Sequence, residues 1–465
     1  MKVLLINPPI TLFPGAAPTL GGLPLGLMYL AAMAEKAGYE AQIIDAQRGA
    51  GWEDIKNKIQ DYKPDIVGIG NAFSVQIENA IKVSKLVKSI NPNILTVIGG
   101  PHVSVFPAET LSDNPTLDIA VRGEGEITFF ELLKCYAGNR DFSAVEGISY
   151  RQNNVVHVNK AREYITDLDI IPFPAYHLVD MPKYLDEKHA VKHHDSEFSG
   201  GVPIITSRGC PFNCIFCSIH LHMGNKYRQH SPQYVIDHLK LLVSKYGAKY
   251  FHFEDDNFTF NLKRCEAILD GIIANKLNIH WDTPNGVRAD FLTREILVKM
   301  KQSGCNELRI APESGSQRII NEVIGKKLDL NSIVEVAKMC QEIGIKLRAF
   351  FIIGLPGEKK KDIKKTMSFA HQLENKYDVI PTFSLATPLF GTRLYEICKE
   401  NNYLVGDLTS DNLGAATSGL GVIKTKDFSP QDLKRYIRKY RLEKLMFKLF
   451  NNPFWVLSKL LKRGR

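Results

Sequence analysis

Over roughly the first 130 residues, short apolar runs alternate with amphipathic stretches. "KVLLINPP", "AQIIDA", "PDIVGIG", "ILTVIGGPH" and "DIAVRGEGE" read as buried strands, and segments starting near Leu25, Trp52, Ile77 and Thr128 read as helices. Strands without polar alternation, separated by helical periods, are the signature of βαβ units, so residues 1–140 are predicted to form a doubly wound parallel sheet. In such sheets a ligand crevice lies beyond the carboxyl ends of the strands. Those ends read Asn7-Pro8-Pro9, Gly70-Asn71, Gly99-Gly100-Pro101-His102 and Gly123-Glu124-Gly125-Glu126.

Residues 141–200 lose this regularity. "GISYRQNNVVHVNK" predicts a hairpin about Asn153-Asn154, and "IIPFPAYHL" a proline-stiffened connection, so the segment reads as a linker. A second alternating series fills 201–400. Its strands are "VPIITSRG", "YFHFEDDN", "IHWDTPNGVRAD", "ELRIAPESG", "KLRAFFIIGLPGE" and "VIPTFSLATPL", each trailed by a helical stretch. Six βα units without a closing pair predict a partial (β/α)6 barrel. The fold class is therefore α/β, with a basic helical region at 401–465.

The composition, 44% hydrophobic and 23% charged, is that of an ordinary folded chain. No charged residue occurs from Val3 to Ala34, yet Pro8, Pro9, Pro14, Pro18 and Pro24 rule out a continuous membrane-spanning helix there. The formal charge of +9 is confined to the tail, where Lys426 to Arg465 holds 12 Lys/Arg against 3 Asp/Glu. That distribution excludes a whole-protein nucleic-acid field. Leu433, Ile437, Tyr440, Met446, Leu449 and Phe450 recur there at helical spacing among lysines and arginines, and "PFWVLSKLLKRGR" follows. Such a helix either lies on an anionic membrane surface or caps the barrel with a solvated face.

Of eight cysteines, five are scattered and three cluster in "SRGCPFNCIFCS" as Cys210, Cys214 and Cys217. This is no secreted disulfide framework, and a reducing cytoplasm is expected. Three thiolates are one short of a closed site. Either His220 or His222 completes a structural zinc, or the thiols hold three corners of an iron–sulfur cluster with one iron open. The cluster follows a strand at the carboxyl end of the predicted barrel, where catalytic groups sit. The spacing, with Phe216 before Cys217, resembles the Cys-x3-Cys-x-aromatic-Cys signature of the radical S-adenosyl-L-methionine (SAM) superfamily.

That resemblance implies a 4Fe-4S cluster whose open iron is chelated by SAM, and an external electron donor, flavodoxin or ferredoxin. It implies that Glu254, Asp255 or Asp256 holds the SAM ammonium, that Arg288 pairs with its carboxylate and Glu313 with its ribose, and that "FIIGLPGE" packs near adenine. For the three acidic residues the alternative is a helix N-cap, and for Arg288 and Glu313 a buried structural pair. A flavodoxin-like sheet ahead of such a barrel resembles the cobalamin-binding domain of one large subfamily. It implies cobalamin contacts at Asn7, Ser74, Gly99, Gly100, His102 and Glu124. Glycines at strand ends let a bulky ligand approach the backbone. The histidine of the classical Asp-x-His-x-x-Gly motif is missing after the first strand, so no imidazole is offered there as a lower cobalt ligand. There is no Gly-x-Gly-x-x-Gly opening the first helix, which counts against NAD.

The expected activity is methyl transfer to an unactivated carbon of a small-molecule or lipid substrate. An oxidative or ring-forming reaction with the same cofactors is the alternative, and a zinc- and ligand-binding protein is the non-enzymatic one. No side chain identifies itself as a general base, and the substrate is not named by the sequence.

Overall fold

The computed structural model describes residues 1–10, 21–70, 73–186, 201–417 and 419–451. Strand β1 (Lys2–Asn7) is an inner strand of the first sheet, running parallel to β2 (Glu40–Asp45) on one side and β3 (Ile66–Ile69) on the other. β4 (Leu95–Gly99) and β5 (Ile119–Val121) continue in parallel, giving the flavodoxin-like order β2-β1-β3-β4-β5. Both faces of the strands are apolar because both are covered. Leu4 and Ile6 pack with Val67, Ile69 and Ile98 beneath α2 (Trp52–Tyr62) and α3 (Ile77–Ile90). Val3 and Leu5 pack with Ile66, Val97 and Ile119 beneath α1 (Leu25–Lys36) and α6 (Glu126–Ala137). Two short helices, α4 (Pro101–Val105) and α5 (Pro107–Asp113), join β4 to β5.

The expected hairpin is present, as β6 (Ile148–Gln152) and β7 (Val155–Val158). Asn153 and Asn154 turn it at φ 50° and 61°, the left-handed values a two-residue hairpin turn requires. It is not part of a free linker, because β6 pairs antiparallel with β5 and extends the first sheet to seven strands. Ile148 and Tyr150 supply the reason: both are buried in the same core as Val121 and Phe129. The short helix α7 (Met181–Leu185) buries Met181 and Tyr184 in the core of the second unit.

That second unit is a six-stranded sheet of β8 (Val202–Ile204), β11 (Tyr250–Phe253), β12 (His280–Asp282), β13 (Cys305–Glu313), β14 (Lys346–Ile353) and β15 (Ile380–Leu385), all parallel and in chain order. Between β8 and β11 lies a small antiparallel pair, β9 (Ser207–Arg208) with β10 (Arg228–Gln229). Helices α8 (Pro232–Tyr246), α9 (Leu262–Ala274), α10 (Arg294–Gln302), α11 (Leu330–Ile343), α12 (Lys360–Tyr377) and α13 (Arg393–Glu400) separate and follow the strands. The barrel is partial, as the six βα units predicted.

Strand alternation sorts its side chains. Leu308 and Ile310 join the apolar core against the helices. Glu307 and Arg309 point the other way, into a buried charged lumen. There Arg309 meets Glu307 at 2.9 Å and Asp282 at 3.3 Å, His252 meets Asp282 at 2.6 Å, and Arg348 meets Glu307 at 2.8 Å.

After α14 (Ser410–Thr417), α15 (Pro430–Asn451) packs one face on α12. Leu433 and Tyr440 are buried, and the Tyr440 hydroxyl donates to Glu374 at 2.7 Å. Among the described residues no helix is long and apolar enough to cross a membrane. Pro14 and Pro18 of the N-terminal loop, and the "PFWVLSKLLKRGR" segment, lie outside the described residues.

Candidate active site

The cysteine loop leaves β9 through Gly209, at φ 79°. A β-carbon there would sit 2.4 Å from the Lys226 carbonyl oxygen, so only glycine permits the turn. The Gly209 N–H donates to the Asp256 carboxylate at 2.7 Å. The loop is then braced from two sides, with Ile215 N–H donating to the Ile324 carbonyl at 3.2 Å and Leu394 N–H donating to the Ile215 carbonyl at 2.8 Å. Phe216 packs half-buried against the barrel core.

Burial pushes all three thiols up, Cys214 to about 11 and Cys217 to about 12. Cys217 feels both other thiols electrostatically, so the three are neighbours. Lys326 and Arg288 favour the thiolates of Cys210 and Cys214. Each thiolate of a 4Fe-4S cluster binds a different iron, so three cysteines hold three irons. His220 does not complete a tetrahedron: its Nε2 lies 3.0 Å from the Cys210 carbonyl oxygen. The donor set fits a cluster with one open iron.

The three acidic residues after β11 separate. Asp255 is fully engaged, accepting from Thr206 N–H, Thr206 Oγ1 and Ser207 Oγ, each at 2.6 Å. It braces the β8–β9 turn and caps no helix. Asp256 sits at the cysteine loop, and burial raises it to about 6. Glu254 is raised to about 7 by burial, in the field of His252, Asp282 and Arg309 of the lumen.

Arg288 and Glu313 are also partnered. Arg288 makes a two-pronged ion pair with Asp290 at 3.0 and 2.6 Å, donates to the Lys326 carbonyl at 2.9 Å, and lies 3.9 Å over the Phe212 ring. Glu313, at φ 66°, holds Lys326 at 2.8 Å. Buried Lys326 was not singled out from the sequence; "IGKK" carries no signal for it, and only the fold brings it beside the cysteines.

A cavity of about 530 Å³ opens where the carboxyl ends of the first sheet face the barrel, within the roughly 300–1,000 Å³ of cofactor sites. Asn7, Gly70, Gly99, Gly100 and Glu124 line one side, and His222 and Met223, which follow the cysteine loop, line another. The glycines thin the wall where a bulky ligand would approach. Asn7 is buried, its amide donating to Asp45 at 2.8 Å and its carbonyl accepting from Gln47 at 3.1 Å. His102 and Ser74 are bonded to each other at 2.9 Å instead of lining the cavity, and burial lowers the imidazole to about 4.

Glu124, in the cavity wall, is also engaged within the protein. Its carboxylate is the hub of a buried network in which Arg208 reaches it at 3.0 Å and Arg228 at 2.6 Å, while Ile165 N–H donates to it at 2.9 Å. Arg208 also pairs with Glu126 at 2.6 Å. Burial opposes ionisation of Glu126, but Arg208 outweighs it and holds the carboxyl below its ordinary range. Arg208 stands two residues before Cys210, so this network ties the cavity wall to the root of the cysteine loop. Its position inside "SRGC" was the available signal, and it was passed over.

Two family models match the chain, a B12-binding domain over residues 16–133 and the radical SAM superfamily over 204–370. An uncharacterized methyltransferase of Pyrococcus horikoshii is 36% identical over 443 residues, covering 94% of this chain and 91% of its own. The cytidylyl-2-hydroxyethylphosphonate methyltransferase of Streptomyces wedmorensis is 31% identical, covering 87% and 82%. The chain belongs to the cobalamin-dependent radical SAM enzymes. The fold of these enzymes is shared with OxsB, described with aqua-cobalamin and SAM bound (TM-score 0.72, 20% identity, 100% of this chain and 75% of that one), and with the methyltransferase TsrM from Kitasatospora setae (TM-score 0.69, 17% identity, 88% and 79%). The cofactors of this radical SAM enzyme are the 4Fe-4S cluster, SAM and cobalamin.

Proposed function

We propose that the protein is a C-methyltransferase acting on an unactivated carbon of a small molecule. The observation that carries this reading is the meeting of the two sites: a three-thiol loop and a glycine-walled cavity share the Arg208 network and the segment through His222 and Met223. When bound, the reduced cluster supplies the electron that cleaves SAM, and cobalamin carries the methyl group. The protein's part is to hold these groups in place and keep water out.

Cys210, Cys214 and Cys217 are the cluster ligands in this reading. Asp256, beside the loop, and Glu254, in the lumen, are the acidic groups that would hold the SAM ammonium. Arg288 and Glu313 hold the adjoining wall through Asp290 and Lys326. Asn7, Gly99 and Gly100 face cobalamin, while His102 supports Ser74 behind them. The low-potential electron comes from a flavodoxin or ferredoxin.

Two relatives above 30% identity are methyltransferases by name. Anaerobic magnesium-protoporphyrin IX monomethyl ester cyclases match at 25–28%, which keeps a ring-forming outcome as the rival. Anaerobic reconstitution with iron, sulfide, cobalamin and SAM, followed by assay with reduced flavodoxin as electron donor and a candidate small-molecule substrate, separates the two. Methyl transfer yields 5′-deoxyadenosine together with S-adenosylhomocysteine and a product heavier by one CH2. Deoxyadenosine without S-adenosylhomocysteine would overturn the methyltransferase reading.

A further inference from the structure

Helix α15 takes no part in the chemistry above, and its outer face is unusual. Its inner face is anchored on α12, where the Tyr440 ring lies 4.0 Å from that of His371 and Lys444 pairs with Glu374 at 2.5 Å. With successive residues turned by about 100°, Arg435, Arg438, Leu442, Leu445, Met446 and Leu449 fall on the opposite face. The arginines occupy its first half and the apolar residues its second. Leu442, Leu445, Met446 and Leu449 are 53, 43, 51 and 36% exposed. Apolar positions at this spacing ordinarily face a core. Here the row faces away from one.

We propose that this face docks on an anionic lipid bilayer, with the apolar row in the acyl boundary and the arginines among the phosphate headgroups. Charge favours this occupant. The segment from Lys426 to Arg465, with 12 Lys/Arg against 3 Asp/Glu, carries the entire formal surplus of +9, and the rest of the chain is balanced. A second copy fits poorly. In parallel its arginines would meet like charge, and in antiparallel they would lie on the apolar row with no carboxylate in that row to pair with. Residues 452–465 add four basic residues and no acidic one, so that segment carries the same sign and is no better matched. An anionic polymer such as nucleic acid would leave the leucines unused.

The test is flotation of the full-length protein with vesicles of phosphatidylcholine, alone or with about one-third phosphatidylglycerol, at low and high salt. Binding at least about tenfold stronger to the anionic vesicles is expected, weakening with salt. Leu445→Glu with Met446→Glu, and separately Arg435→Glu with Arg438→Glu, should each lower it about tenfold or more. Both pairs are solvent-facing, and an unchanged melting temperature shows that the fold survives. The proposal is overturned if the protein fails to float with anionic vesicles at low salt, or if the Leu445/Met446 variant binds as well as the native protein. It is equally overturned if light scattering shows a dimer that this variant dissolves, because the row would then be a protein interface.

Discussion

Cys210, Cys214 and Cys217 each supply one sulfur, so Cys214→Ala should leave the anaerobically reconstituted protein without its absorbance near 400 nm and with far fewer than about four irons per chain. Iron and sulfide analysis reads this directly. Glu254 should respond to pH. Its carboxyl rises from an ordinary 4.5 to about 7 because burial opposes its charge, so ionising it costs stability as pH climbs through 7, and none is lost below 4.5. Glu254→Gln should therefore stabilise the SAM-free protein at pH 8.5 by on the order of 2 kcal/mol, read as a raised melting temperature, and leave it unchanged at pH 4.5. Cysteine spacing was readable because the ligands lie within eight positions. The acidic residues were not. Asp255 finds its partners 49 and 48 residues away and Glu124 finds Arg208 84 away, and a carboxylate's letter does not reveal the group it faces.

At the scale of elements, the strands and the starts of α1, α2 and α3 fall where the apolar runs placed them, since the first sheet is buried on both faces and leaves unbroken hydrophobic runs. The β6–β7 hairpin was legible as a hairpin but not as an edge of the first sheet, because antiparallel addition to β5 depends on contacts made only in the folded core. The β9–β10 pair was too short to read. It is nonetheless what presents Arg208 and Arg228 to Glu124. Arg208→Met should cost about 3–5 kcal/mol, measured as a fall in denaturant midpoint, because it leaves Glu126 buried without its cation. Replacing Glu126 by Leu in the same protein should recover part of that loss.

At the scale of the whole molecule, the cavity has walls from both units, with Gly99 and Gly100 on one side and His222 and Met223 on the other. Adding cobalamin to the apoprotein should raise its melting temperature in a concentration-dependent way, the stability gain being about 2.7 kcal/mol when the ligand is at a hundred times its dissociation constant. Removing the cluster with a chelator should loosen the segment through His222 and speed cobalamin release, which gel filtration detects as free corrinoid. A partition built jointly by two prosthetic groups' seats would give the enzyme a history: damage by air at the inorganic end would be transmitted as leakage at the organic end. Repair must then proceed in sequence, sulfur and iron before vitamin.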